Sequence, residues 1–180
     1  MEATASDNWA EEFSPDEIRS VWNGKLRPIA DDVIARQISA PTREFLVRIG
    51  LPNDPDLPDA SFADNSRLSK IVHHAGMDLV MITDDDSPTA FGIDVVSDRV
   101  YAVRLSNARY TRFFNSSVAA TVYFLGMLNR DILTLPEADE LTLTRAIDGI
   151  WDALMARDPR AMEGPSPWKA WLDALGGQYE

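Results

Sequence analysis

Three clusters in this sequence carry side chains of the kinds that do chemistry. Asn115-Ser116-Ser117 sets two hydroxyls in front of the run Val118 to Leu128, which is apolar almost throughout. A catalytic serine at a helix entrance needs a sharp strand–turn–helix elbow with small flanking residues, and a base oriented by a carboxylate. The flanks here are Phe114, Asn115 and Val118, whose bulk obstructs such a turn. Short polar side chains compete for backbone N–H groups at helix starts, so the triplet reads as a cap, with Asn115 the expected N-cap. The two histidines, His73 and His74, are adjacent, so in a strand they point to opposite faces and match no metal-binding spacing. Asp84-Asp85-Asp86 offers the oxygen ligands that a hard cation prefers, but calcium loops space their ligands around a glycine bend, and "TDDDSP" reads as a solvated turn. The nine glycines are scattered, mostly at helix ends, and make no phosphate-binding loop. No cofactor, metal or catalytic set is expected from these residues.

The elements that must position these clusters are legible from punctuation and period. In "SPDEIRSVW" Ser14 caps, Pro15 takes the first helical position, Glu17 completes a capping box, and Ile18, Val21 and Trp22 share a face. Asn23-Gly24 ends that helix. "SAPTREFLVRIGLP" predicts a short helix with Phe45, Leu46 and Ile49 inward, Gly50 as left-handed cap and Pro52 as stop. After a proline- and aspartate-rich loop the period becomes two: Leu79 to Ile82 is an apolar strand, and Phe91, Ile93 and Val95 alternate with Gly92 and Asp94. Ser97-Asp98 is the turn into "RVYAVRL", an antiparallel partner. The run after Asn115 is apolar on every side of a helix and should be buried nearly all round. A later amphipathic helix carries Leu143, Ile147, Ile150, Trp151 and Leu154 as a stripe. The last has Ser166 as cap, Pro167 at its start, Trp168, Trp171, Leu172 and Leu175 as contacts, and Gly176 as stop.

With 180 residues and 45% hydrophobic side chains the chain can enclose one core, so one domain spanning 1–180 is expected, with an acidic, loosely ordered segment at 1–13. Seventeen basic and 29 acidic side chains give a net charge of minus 12, which disfavours nucleic acid and membrane surfaces and favours a basic protein partner. Cysteine is absent, "MEATASDNWAEEF" has no signal-peptide pattern, and the longest apolar run is too short to cross a bilayer, so a cytoplasmic location is expected.

The order "FLVRIGLP" (Phe45 to Pro52), "FGIDVVSDRVYAV" (Phe91 to Val103) and "FFNSSVAATVYFL" (Phe113 to Leu125) resembles the SUKH superfamily of bacterial immunity proteins, most closely its fourth family. The resemblance spans roughly residues 40 to 130, through Gly50, Pro52 and the Asn115-Ser116-Ser117 motif. Where the family's hairpin turn carries glycine, this chain has Ser97-Asp98-Arg99, and aspartate tolerates the left-handed conformation better than most residues. The resemblance implies an α+β fold, an antiparallel sheet packed with helices at both chain ends. It also implies a non-enzymatic role, binding and blocking a cognate toxin, commonly a nuclease or nucleic-acid-modifying enzyme. Asp84, Asp85 and Asp86 are the expected contributors to a field that attracts a basic toxin. A scaffold or regulatory module of the same fold would show similar residues, and a hydrolase working through Ser117 or His74 is the third reading.

Overall fold

The computed structural model describes residues 9–53, 62, 67–83, 89–134 and 139–177. Among them are six α-helices, an antiparallel sheet of five strands, and a separate two-stranded ribbon near the N-terminus. The fold is α+β.

The N-terminal helices form where the sequence caps them. Helix α1 (Trp9–Glu12) leads into α2 (Pro15–Trp22), where Ser14 Oγ accepts from Glu17 N at 3.2 Å and Glu17 Oε2 accepts from Ser14 N at 2.9 Å. Asn23 ends α2 in the left-handed region, φ 47°. The loose segment expected at 1–13 is corrected from Trp9 onward. Trp9 and Phe13 sit one helical turn apart and are buried, Trp9 edge-on to Phe45 with ring centroids 5.1 Å apart. Acidic composition hid two apolar anchors at helical spacing. Residues 1–8 lie outside the described residues.

Strand β1 (Leu26–Arg27) pairs with β2 (Leu51–Pro52), and α3 (Ala40–Arg48) lies between them, capped by Ser39. Gly50 follows α3 with φ 91°, and a Cβ there would stand 1.9 Å from the Arg27 carbonyl oxygen. Glycine is therefore required twice, for the dihedral and for the close approach of β1. Leu51-Pro52 enters this ribbon rather than the large sheet.

The large sheet runs in chain order: β3 (Ile71–His74), β4 (Met77–Met81), β5 (Ala90–Asp94), β6 (Val100–Arg104) and β7 (Asn107–Asn115). Ala75 and Gly76, with φ 51° and 83°, form the two-residue turn between β3 and β4. Asp98 has φ 57°, so aspartate does take the left-handed position in the β5–β6 connection. One sheet face joins the main core through Val80, Ile82, Phe91, Ile93, Val100, Ala102 and Phe114. The other carries a smaller cluster of Leu79, Met81, Ala90 and Val103, so all five residues of β5 are buried. Strand alternation is real there, but a central strand with two covered faces has no wet side.

Helix α4 (Val118–Leu128) crosses the core with nine of its eleven residues buried, as its uniform apolarity predicts. A Cβ on Gly126 would meet Val21 Cγ2 at 2.5 Å and Trp22 Nε1 at 2.7 Å, so glycine lets α2 close onto α4. Trp22 Nε1 then donates to the Val122 carbonyl at 2.8 Å. A π-helical turn (Asn129–Leu133) extends α4, and α5 (Glu140–Arg157) follows with Leu143, Ile150 and Leu154 inward and Ile147 and Trp151 partly covered. Through the 3-10 turn Pro159–Met162 the chain reaches α6 (Pro167–Gly176), where Ser166 caps as expected and Gly177, one residue beyond Gly176, is the C-cap. Trp168 stacks on Phe114 with ring centroids 5.0 Å apart.

Candidate partner-binding surface

The serine-rich triplet resolves into three separate jobs. Asn115 is the last residue of β7, fully buried, and does not cap the helix. The N-cap of α4 is Ser117, whose Oγ accepts from Ala120 N at 3.1 Å. The expected cap was two residues too early because β7 runs on to Asn115, leaving that side chain to face the interior. There Asn115 Nδ2 donates to Asp158 Oδ2 at 2.8 Å, and Asn115 Oδ1 accepts from Trp168 Nε1 at 3.2 Å. Ser116 donates to the same carboxylate twice, from N at 2.8 Å and from Oγ at 2.7 Å. Asp158 is 2% exposed, so three donors compensate a carboxylate taken out of water. This knot ties the end of β7 to the end of α5 and the start of α6. Both hydroxyls of the triplet are engaged in hydrogen bonds within the fold.

No sequence feature pointed to Asp158, since its partners lie 42 and 43 residues away along the chain. The signal that existed was polarity: Asn115 and Ser116 interrupt an otherwise apolar stretch, and buried amides need partners.

The histidines lie on β3, at the sheet edge opposite β7, and face opposite sides. His73 is exposed, with Nδ1 2.8 Å from Asp78 Oδ1, while His74 is buried and its Nε2 has no hydrogen-bond partner among the described residues. Ser117 follows β7, four strand spacings or about 19 Å across the sheet from β3. A hydrolytic pair of Ser117 and His74 is not assembled. Among the described residues no group of three or more histidines, aspartates or glutamates could hold a metal ion. Asp84, Asp85 and Asp86 lie outside the described residues.

The outer face of α5 is exposed. Leu141, Arg145, Asp148, Asp152 and Met155 follow one another at spacings of three and four, and so line a single stripe opposite Leu143, Ile150 and Leu154. Leu141 is 58% and Met155 50% exposed, two of the few large apolar side chains left in water. They stand about 21 Å apart along the helix, with Asp148 and Asp152 between them. The signal was present in the sequence as two apolar residues on the polar side of an amphipathic helix.

The inner end of α5 is electrostatically busy. Arg157 lies over the rings of Phe13 and Tyr123, 4.2 and 4.6 Å from their centroids, donates to the Glu12 carbonyl and pairs with Glu17 at 3.4 Å. Burial, with the Asp158 charge adding to it and Arg157 opposing, raises the Glu12 carboxyl above its ordinary range. Hydrogen bonding from the Ser14 backbone holds Glu17 below its own, despite some desolvation, with Arg157 lowering it further. Among the described residues no helix is long and apolar enough to cross a membrane.

The family model described as SUKH-4 immunity protein matches residues 9–176, from α1 through the last residue of α6. No curated protein and no solved structure matches the chain significantly.

Proposed function

The chain belongs to the SUKH-4 immunity protein family, and from that premise we propose that it binds a cognate protein toxin and neutralises it by covering a basic surface. The family match carries the immunity role. The mode of action is supported by the net charge of minus 12 and by the acidic and apolar stripe on α5. A nuclease or nucleic-acid-modifying toxin must present positive potential where it holds phosphates, and an acidic protein is steered onto such a surface and blocks it. In this reading Leu141 and Met155 are the apolar contacts, Asp148 and Asp152 the flanking charges, and Asp84, Asp85 and Asp86 add to the attracting field. Charge sets the encounter rate, and buried apolar contact sets the lifetime of the complex.

The test is co-purification with the product of the adjacent gene, followed by association kinetics at several salt concentrations. Wild-type association should slow as ionic strength rises. Asp148→Asn with Asp152→Asn should slow it at low salt, and Leu141→Ser with Met155→Ser should speed dissociation. Wild-type kinetics for all four substitutions would move the interface off α5, and no complex with any neighbouring product would remove the toxin reading.

A further inference from the structure

The opposite charge is gathered at the corner where β6 turns into β7. From Arg99 to Arg130 the sequence holds five arginines and no aspartate or glutamate, in a chain with 29 acidic residues. Four of the five fall between Arg99 and Arg112, and three of those, Arg104, Arg109 and Arg112, sit on the corner itself. Arg160, on the 3-10 turn beside β7, lies farther along the strand, 5.0 Å from the Phe113 ring centroid. Among the described residues none of Arg104, Arg109, Arg112 and Arg160 is paired with a carboxylate. In so acidic a protein a carboxylate partner would be easy to place, and none is placed among the described residues.

The corner is also shaped. Pairing runs Val103↔Thr111 and then Arg104↔Asn107, so Ala108, Arg109 and Tyr110 bulge out of the ladder. Bulges re-aim side chains at sheet edges. Here the bulge brings the Tyr110 ring under two guanidiniums, Arg104 at 4.4 Å and Arg112 at 5.5 Å from its centroid. A guanidinium stacked on an aromatic ring keeps its in-plane N–H donors pointing outward, the geometry that grips a carboxylate with two parallel hydrogen bonds. One Arg112 donor is turned onto the Thr111 carbonyl at 3.0 Å, which fixes that side chain.

We propose that this arginine–tyrosine corner is a docking site for an acidic protein segment, a run of aspartate or glutamate on a partner other than the basic toxin. Phosphate chains would also seek arginines, but two observations favour carboxylates. The Tyr110 ring that a base would stack on is already engaged by Arg104 and Arg112. Beyond the corner the protein carries a large negative excess, which repels a long phosphodiester chain far more than a short acidic peptide. The alternative role for these arginines is to blunt a sheet edge against aggregation, a service that needs no ligand.

The test uses the full chain and a fluorescein-labelled peptide of eight glutamates, read by anisotropy at low and physiological salt. The wild type binds, more weakly as salt rises. Arg104→Gln with Arg109→Gln and Arg112→Gln weakens binding about tenfold, in keeping with three exposed charge pairs of modest strength. A control of equal charge, Arg36→Gln with Lys70→Gln and Lys169→Gln, stays within about twofold of wild type. If the triple variant does not fold by circular dichroism, Arg109→Gln alone should weaken binding about twofold to threefold. The proposal is overturned if the peptide does not bind, or if the control weakens it as much as the corner variant. It is overturned equally if oligothymidylate of the same charge binds more tightly. Low-salt self-association lost in the corner variant would make the occupant a second copy of this chain and overturn it too.

Discussion

The two ends of β7 handle charge in opposite ways. At Asn115 the strand runs into a buried carboxylate, and three donors are turned onto it: Asn115 Nδ2, Ser116 N and Ser116 Oγ all reach Asp158. At Arg109 and Arg112 the strand carries cations that meet no carboxylate among the described residues, and Arg112 lies over the Tyr110 ring instead. At the closed end burial makes an unmet donor costly, and the buried carboxylate gathers three; at the open end the Arg104 and Arg109 side chains are exposed, where an unpaired guanidinium costs little. Only the open end has hydrogen-bonding capacity left for another molecule.

The largest expected effect breaks the closed end. Asp158→Ala leaves donors from Asn115 and Ser116 without an acceptor, and should destabilise the protein by about 3 to 5 kcal/mol. Urea unfolding would read it directly, and a wild-type midpoint would mean that the knot is not holding β7 to α5 and α6. A smaller loss, about 0.5 to 2 kcal/mol, is expected for Ser117→Ala, which removes the cap of α4 and leaves the knot in place. If Ser117→Ala were silent while Ser116→Ala behaved as a cap mutant, the division of labour within the triplet would be wrong.

A pH series sharpens the closed end further. Glu12 titrates above its unfolded value because it is partly buried near Asp158, so its charged form is a penalty carried in full above that raised pKa. The penalty shrinks as pH falls through the raised value and is gone below the unfolded value of about 4.3. Glu12→Gln should therefore stabilise at neutral pH, with the gain closing in acid. Glu17 has the opposite sign: its folded pKa is lowered, so its contribution is complete above about 4.3 and is lost as pH falls through the lowered value. Equal pH profiles for wild type and Glu12→Gln would mean that neither burial nor Asp158 penalises the charged Glu12. The smallest stability effect belongs to the open end, where replacing Arg104, Arg109 and Arg112 by glutamine should change stability by no more than about 0.5 kcal/mol. A loss of several kcal/mol there would make the two ends alike.

What could be read from the chain follows from how local each signal is. The capping box at Ser14 and Glu17, the cap at Ser166, and the buried character of α4 rest on neighbours within a turn or two, and the structure shows all three. Asn115 was misplaced because the end of β7 depends on pairing with β6, which periodicity does not locate. The β3–β4 hairpin escaped notice because its turn places Ala75 at positive φ, where alanine is not expected. Trp9 and Phe13 were hidden by acidic neighbours. The surface stripe of α5 needed only a helical wheel, whereas the Arg104–Tyr110–Arg112 stack needed the bulge, and a bulge leaves no mark in composition.

The in-order path of the five strands has a consequence for rates. Each hairpin of the meander closes between neighbours in sequence, while the knot joins residues separated by 43 and 53 positions and waits for α5 and α6. Local pairing precedes distant closure because long loops carry the larger entropy cost before any contact rewards them. A contact made after the folding barrier does not slow folding when removed; it speeds unfolding. In a chevron plot Asp158→Ala should thus raise the unfolding arm and leave the refolding arm near wild type. Asp158 then sets how long the folded protein lasts, while the meander sets how quickly it forms.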